Sequence, residues 1–263
     1  MVNNTKRPFI ASISGKGGSG KTTLTALLLK VLLERSSNDS ILVVDADPAT
    51  NLPDVLGLET KRTLGEVIED FRKKVNEPSF AVGVRKDSVL EYWIIRDCLI
   101  EAEKFDLLPM GRGEGEGCYC YVNSILVGIV GKLLRNYDVV LMDMEAGLER
   151  LNRRTDRYVN TMLIVVDPSR MGFRTAERIL EVIDEVDIRV DKICVVGNRF
   201  PANMIEGLYE WADRRGCKVA GVIPEDKLLL EYSINGTSLL NLPSNAPSVE
   251  AARLIARKIA LID

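Results

Sequence analysis

Short apolar runs, each of four to seven residues, recur along the chain, and between them lie stretches whose apolar residues fall at helical spacing. The run 8–14 ends at a glycine-rich loop, and 22–35 follows it with helical periodicity. Residues 41–44, 139–142, 161–166, 193–196 and 219–223 are continuously apolar, as expected of strands buried on both faces. A shorter strand is predicted at 105–109. Helices are predicted over 63–74, 119–134, 173–186, 202–215 and 248–261, the first with Thr63 and Glu66 spaced as a capping box. Residues 36–39 and 111–117 read as turn and loop, and 76–87 has no clear period. Strands alternating with helices imply parallel pairing through crossovers. No linker rich in Pro, Gly or Ser divides the chain, so residues 1–263 are predicted to form one α/β domain: a doubly wound, mostly parallel sheet with helices on both faces.

Composition narrows the function. The net charge is −3 and there is no long basic run, so no surface for nucleic acid or anionic lipid is expected. No apolar run approaches the ~20 residues of a membrane span, and the polar start lacks the apolar core of a signal peptide. A cytoplasmic location is the expectation. Five cysteines without a signal argue against a disulfide framework. Histidine is missing altogether, which removes the usual neutral-pH proton shuttle. Acid–base chemistry must therefore use carboxylates or lysine, and a soft-metal site must use thiolates.

The candidate chemistry starts at Gly15-Lys16-Gly17-Gly18-Ser19-Gly20-Lys21-Thr22. The pattern G-x-x-x-x-G-K-[ST] arises by chance in about one chain in a hundred of this length. Here it also lies between a predicted strand and a predicted helix. Glycines let backbone N–H groups face phosphates, and the helix beginning near Lys21 turns its positive end toward them. Lys21 is expected on the β- and γ-phosphates and the Thr22 hydroxyl on Mg²⁺, with Thr23 in the same contact set. Asp45 and Asp47 end the second strand, and Asp143 ends the strand 139–142. Ligands bind beyond the carboxyl ends of parallel strands, so all three face one crevice. Asp143 fits a Mg²⁺ carboxylate acting through water; Glu145 and Gly147 follow it in a candidate switch turn.

Lys16, a second lysine just inside the loop, makes this spelling similar to the deviant Walker A class of MinD, ParA and the nitrogenase iron protein. The resemblance implies ATP hydrolysis in an ATP-dependent homodimer. Lys16 would reach the partner's nucleotide, Asp47 would orient the attacking water and Asp45 would support the Mg²⁺ shell. It also implies contacts to adenine and its surroundings from Asn198, Arg199, Pro224 and Asp226. No Asn-Lys-x-Asp guanine signature is present, which favours ATP over GTP.

Cys118 and Cys120 follow a run of glycines and glutamates and open a predicted helix, where thiolate is favoured. Two ligands make half a site. Two chains meeting here would supply four thiolates for Zn²⁺, Ni²⁺ or an iron–sulfur cluster. Cys98, Cys194 and Cys217 sit among apolar or helical neighbours and read as buried small hydrophobes. The segments 110–123 and 142–155 resemble those of the CooC/AcsF group, across a similarity running from Ile10 to about Pro224. Met144 and Pro109 depart from that group's pattern. The resemblance implies nickel insertion into carbon monoxide dehydrogenase or acetyl-CoA synthase. A partition or positioning ATPase like ParA or MinD is the competing reading. A redox role like that of the iron protein is disfavoured, because 141–154 contains no cysteine.

Overall fold

The computed structural model describes residues 7–35, 37–75, 77, 80, 83, 85–112, 120–145, 158–185 and 189–263, with the side chains of 120–124 and 184 outside that description. Eight strands form one sheet: β1 (Phe9–Gly15), β2 (Ile41–Asp45), β3 (Ile100–Glu101), β4 (Asp106–Pro109), β5 (Val139–Asp143), β6 (Tyr158–Val166), β7 (Arg189–Asn198) and β8 (Lys218–Ile223). Their order is β3-β4-β2-β5-β1-β6-β7-β8. Every pairing is parallel except that of the short edge strand β3 with β4.

Side chains alternate between two cores, as the two-residue period of a strand requires. Leu42, Val44, Val140, Met142 and Ile164 enter one core, while Ile13, Val43, Leu141, Leu163 and Val165 enter the other. The first is closed by α3 (Leu64–Lys74), α4 (Lys86–Trp93), α5 (Cys120–Leu134), α6 (Arg170–Glu185) and α7 (Ile205–Arg214). The second is closed by α1 (Lys21–Leu33), α2 (Leu52–Leu56), α8 (Lys227–Ile234) and α9 (Pro247–Lys258). Burial on both faces explains why the strands read as unbroken apolar runs. At the start of α3 the Thr63–Glu66 capping box forms as the spacing predicts: Glu66 accepts from the Thr63 amide at 2.7 Å and Thr63 accepts from the Glu66 amide at 3.4 Å.

Several elements differ from the sequence expectation. The segment predicted as one helix over 202–215 begins as a tight turn at Ala202–Met204 before α7. Within 76–87, α4 begins at Lys86 and runs into a wider π turn over Ile94–Cys98, where Leu99 N–H reaches the Ile94 carbonyl at 3.1 Å. Helix α8 has no counterpart in the apolar periodicity because none of its residues is fully buried. The amphipathic α9 buries Val249, Ala252, Ile255 and Ala256, so it is a core helix with a solvated face.

β1 lies between β5 and β6, and its loops open at the carboxyl edge where the strand order reverses. That edge gathers the ends of β1, β2, β5, β6, β7 and β8 around one crevice.

Candidate nucleotide site

The loop 16–20 leaves β1 and enters α1 directly. Two glycines are required by their neighbours. A Cβ at Gly15 would stand 2.5 Å from the Val165 carbonyl oxygen on β6. Gly20 has φ +100°, and a Cβ there would run into the Asn198 amide. Gly20 caps α1 without a side-chain acceptor, and the first turn carries no acidic residue. The positive end of α1 is therefore left for an external anion. Buried Lys21 sits at the base of the loop, its Nζ 3.4 Å from the Lys16 carbonyl and 4.0 Å from Asp47 Oδ2.

Asp45 and Asp143 are in register on adjacent strands, and both are fully buried. Asp45 accepts from the Asp47 amide at 3.1 Å and from the Leu52 amide at 3.0 Å, so it anchors the turn that carries Asp47 and the start of α2. Burial pushes its carboxyl up to about 7, against the two amides and with the help of Asp143. Neither oxygen of Asp143 has a hydrogen-bond partner among the described residues. Burial raises Asp143 to about 6; the Thr22 hydroxyl and the Lys21 ammonium temper this without satisfying it. An orphaned buried carboxylate beside a threonine hydroxyl fits a hard divalent cation held through oxygen and water. Asp47 is partly exposed, and its Oδ1 accepts from the Ala49 amide at 2.9 Å. Glu145 lines the same cavity, and its carbonyl accepts from the Ser14 hydroxyl at 3.4 Å.

Lys16 does not face into its own loop. Its ammonium is 2.6 Å from Asp167 Oδ2 and donates to the Ser169 hydroxyl at 3.2 Å, and a third of the side chain is exposed. Burial would raise Asp167, but Lys16 and the hydroxyl and amide of Ser169 hold its carboxyl below the ordinary value. Sequence reasoning missed Asp167. A signal was present: the apolar run of β6 ends in an aspartate, as those of β2 and β5 do. What the sequence lacked was the adjacency of β1 and β6 that brings Asp167 to Lys16.

The loop, α2 and the ends of β7 and β8 enclose a cavity of about 840 Å³. Gly17, Gly18, Gly20, Lys21, Thr22, Thr23, Asp47, Asn198, Arg199, Pro224 and Asp226 line it, all of them expected site residues. Asn51 and Val55 close one side, and α8, unforeseen in the sequence, supplies Lys227, Leu229, Leu230 and Ser233 on the other. Asp226 caps α8, accepting from Leu228 and Leu229 N–H at 3.0 and 3.3 Å, and also accepts from the amide and hydroxyl of Ser248 at 3.0 and 2.7 Å. Burial would raise its carboxyl, but these four donors outweigh it and hold the group below the ordinary value.

The paired-cysteine expectation lies largely outside the description: Cys118 and the side chain of Cys120 are not among the described residues, nor is Gly147. Among the described residues no group of three or more Cys, Asp or Glu is arranged to hold a metal ion. Cys98 and Cys194 are buried, as expected for small apolar residues, whereas Cys217, expected to be buried too, is only half-buried. Burial pushes the Cys98 thiol up to about 12, which keeps it inert. No described helix is long and apolar enough to cross a membrane.

Comparison with known proteins agrees with this geometry. A family model described as the CobQ/CobB/MinD/ParA nucleotide binding domain matches residues 10–239. An uncharacterized ATP-binding protein of Methanocaldococcus jannaschii is 40% identical over 251 residues, 95% of this chain and 98% of that protein. The carbon monoxide dehydrogenase accessory protein CooC of Rhodospirillum rubrum is 26% identical over 245 residues, 88% of this chain and 89% of its own. Among solved structures, the MinC:MinD cell division protein complex of Aquifex aeolicus superposes with a TM-score of 0.70 at 24% identity, covering 97% of both chains.

Proposed function

Because the chain belongs to the CobQ/CobB/MinD/ParA nucleotide-binding family, we propose that it is an ATPase whose dimer closes around ATP and handles nickel for a client enzyme. The nearer statement, that it is an ATP-binding member of a MinD/ParA-like family, follows from the family match and the 40% identical relative. The observation that carries the dimer is Lys16. It sits in the loop but is held at the rim by Asp167 and Ser169, partly exposed and free of its own phosphate cradle. Released there, the ammonium is placed to stabilise charge on a nucleotide held by a second chain.

Within one chain, loop N–H groups and Lys21 bind the β- and γ-phosphates. Thr22, Asp143 and, through its supporting position, Asp45 would hold Mg²⁺, which supplies charge neutralisation on the phosphate oxygens. Asp47 orients a water toward the γ-phosphorus. The water oxygen bonds to that phosphorus as the bond to the β–γ bridging oxygen breaks, releasing ADP and phosphate.

The maturation role rests on the Cys118/Cys120 segment and on similarity to CooC. In this reading closure brings two Cys-x-Cys pairs together and hydrolysis separates them, so nickel is cargo for a carbon monoxide dehydrogenase or acetyl-CoA synthase client. Zn²⁺ or an iron–sulfur cluster would suit the same thiolates. Metal analysis of the purified dimer with an ATP analogue, for wild type and the Cys118→Ser/Cys120→Ser variant, tests this. Stoichiometric metal lost only in the variant supports it; equal metal content sinks it. Robust ATP-dependent cosedimentation with DNA or liposomes would favour a partition or positioning role instead.

A further inference from the structure

Helices α6 and α7 leave a shallow groove between them, a cavity of about 420 Å³ lined by Phe173, Asn203, Met204, Gly207, Trp211 and Arg214. Its floor is aromatic and already held in place. The Phe173 ring packs edge-on against Trp211, with centroids 5.1 Å apart, and against Phe200 at 6.0 Å. The Trp211 indole N–H donates to Glu177 Oε1 at 3.3 Å, and Arg215 pairs with the same carboxylate. Two features beside this floor lower stability without a return inside the chain. Gly207 lies within α7, where glycine is the poorest helix former after proline. A Cβ there would meet nothing within 4 Å, so no neighbour requires the glycine. Arg170 opens α6 against the helix dipole, and exposed Arg174 and Arg178 continue the row at four-residue spacing. Neither these three nor Arg214, on the other side of the groove, has an ion-pair partner among the described residues.

We propose that this groove is a docking surface for a partner protein that inserts an apolar side chain between Phe173, Met204 and Trp211 and sets carboxylates against Arg170, Arg174 and Arg214. A residue that breaks a local rule without compensation inside the fold points to what it binds. Gly207 keeps the space beside the indole open, so that another chain can approach it closely. Trp and Arg are the side chains that anchor protein interfaces, and a floor already held in place needs little ordering when it is covered. The groove is shallow, which suits a protein surface better than an enclosed small molecule. The arginines set the sign of the partner: unpaired guanidiniums bind carboxylates in a bidentate fork and steer them from solution. Nucleic acid fits less well, because Glu206, Glu210 and Asp213 are exposed on the neighbouring face of α7 and repel phosphates. The groove begins where the nucleotide site ends. Ser169, which holds Lys16, precedes Arg170, and Arg199, which lines the nucleotide cavity, precedes Phe200.

The inference goes beyond the ATPase reading and does not depend on it. A display library of random short peptides, selected on the full-length protein, supplies the probe. The enriched peptides should share an aromatic or aliphatic residue flanked by Asp or Glu and should bind more weakly as salt rises. Their affinity should fall by about tenfold or more on Gly207→Leu, which fills the groove where nothing stands in the way, and on the double reversal Arg170→Glu/Arg174→Glu. Circular dichroism checks that each variant is folded, and the double reversal on the exposed face of α6 decides the matter if Gly207→Leu does not fold. ATP affinity should be the same in wild type and variants. Enriched peptides that lack acidic residues, peptides that bind both variants as tightly as wild type, or no enrichment at all would overturn the proposal. Two other occupants have their own signatures. Loss of an oligomer in sedimentation on Gly207→Leu would make the occupant a second copy of the chain. Retention of DNA or phosphatidylserine vesicles by wild type but not by the double reversal would assign the arginines to those anions. Either result would also overturn the proposal.

Discussion

The two ends of the nucleotide cavity are built on opposite principles. At the phosphate end, polar groups are left over: among the described residues the two buried oxygens of Asp143 have no hydrogen-bond partner, and α1 begins with no side-chain acceptor at its cap. At the base end, polar groups are tied into the fold: Asp226 accepts four hydrogen bonds, and Asn198 and Arg199 each give one donor to a loop carbonyl. A protein that buries unsatisfied charge gives up stability there. The contrast therefore separates where the fold is held from where a ligand is awaited. Binding at the phosphate end supplies what folding left unpaired; the base end supplies rigidity.

The contrast breaks most severely at Lys21. Lys21→Met removes the cation beside Asp47 and Asp143, and ATP turnover should fall by about 10²-fold or more, read by phosphate release at saturating ATP. A folded Lys21→Met protein with near-normal turnover would place the chemistry elsewhere. Next comes the seam between the two ends. Gly20→Ala forces a side chain into a left-handed backbone and against Asn198, costing about 1–3 kcal/mol of stability, whereas Gly17→Ala meets nothing within 4 Å and should stay within about 0.5 kcal/mol in denaturant titrations. Equal effects at the two glycines would show that Asn198 does not constrain the loop.

At the base end, Asp226→Ala uncaps α8 and unties it from α9, and should cost about 1–2 kcal/mol near neutral pH. The sign with pH is set by its lowered carboxyl. The stabilisation is full above the ordinary value of 3.8 and is lost as pH falls through the folded value below it. The difference between wild type and variant should therefore shrink in acid, as chemical denaturation at pH 7 and below pH 3.8 would reveal. A constant difference would mean the carboxylate contributes only packing. The smallest effect is expected outside the cavity. Exposed Arg170, with no ion-pair partner among the described residues, opens α6, whose first turn has no acidic residue, so its charge opposes the helix dipole. Arg170→Glu should raise stability by about 0.5 kcal/mol, with nucleotide affinity unchanged.

How much of this could be read from the sequence follows the same division. The central strands were legible because burial on both faces leaves unbroken apolar runs at 41–44, 139–142 and 161–166. The phosphate loop was legible because its chemistry is contiguous from Gly15 to Thr22. The base-side residues Asn198, Arg199, Pro224 and Asp226 came only from the family resemblance, and the contacts that tie the site together were not legible, because they are distant in sequence: Ser19 with Asn198, Asp226 with Ser248, Lys16 with Asp167. Helix α8 escaped because it only half-buries its apolar residues against the second core and turns the rest to the cavity, and so lacks the apolar stripe that marks a fully packed helix. The strand β3 is only two residues long and carries no period to detect.

The central place of β1 has a consequence for how the chain is made. Its partners, β5 and β6, begin 130 and more residues downstream, and the brace on its loop comes from Asn198. During synthesis, then, the most recognisable segment of the protein emerges first and has to wait. Such long-range pairings close slowly, and a strand left without neighbours is exposed meanwhile to wrong ones. A nascent chain ending before β6 carries the whole phosphate loop in its sequence but lacks both the β6 neighbour of β1 and the Asn198 bond to the loop. Nucleotide binding thus reports a finished polypeptide: a newly made molecule becomes competent for ATP only after most of its length has left the ribosome.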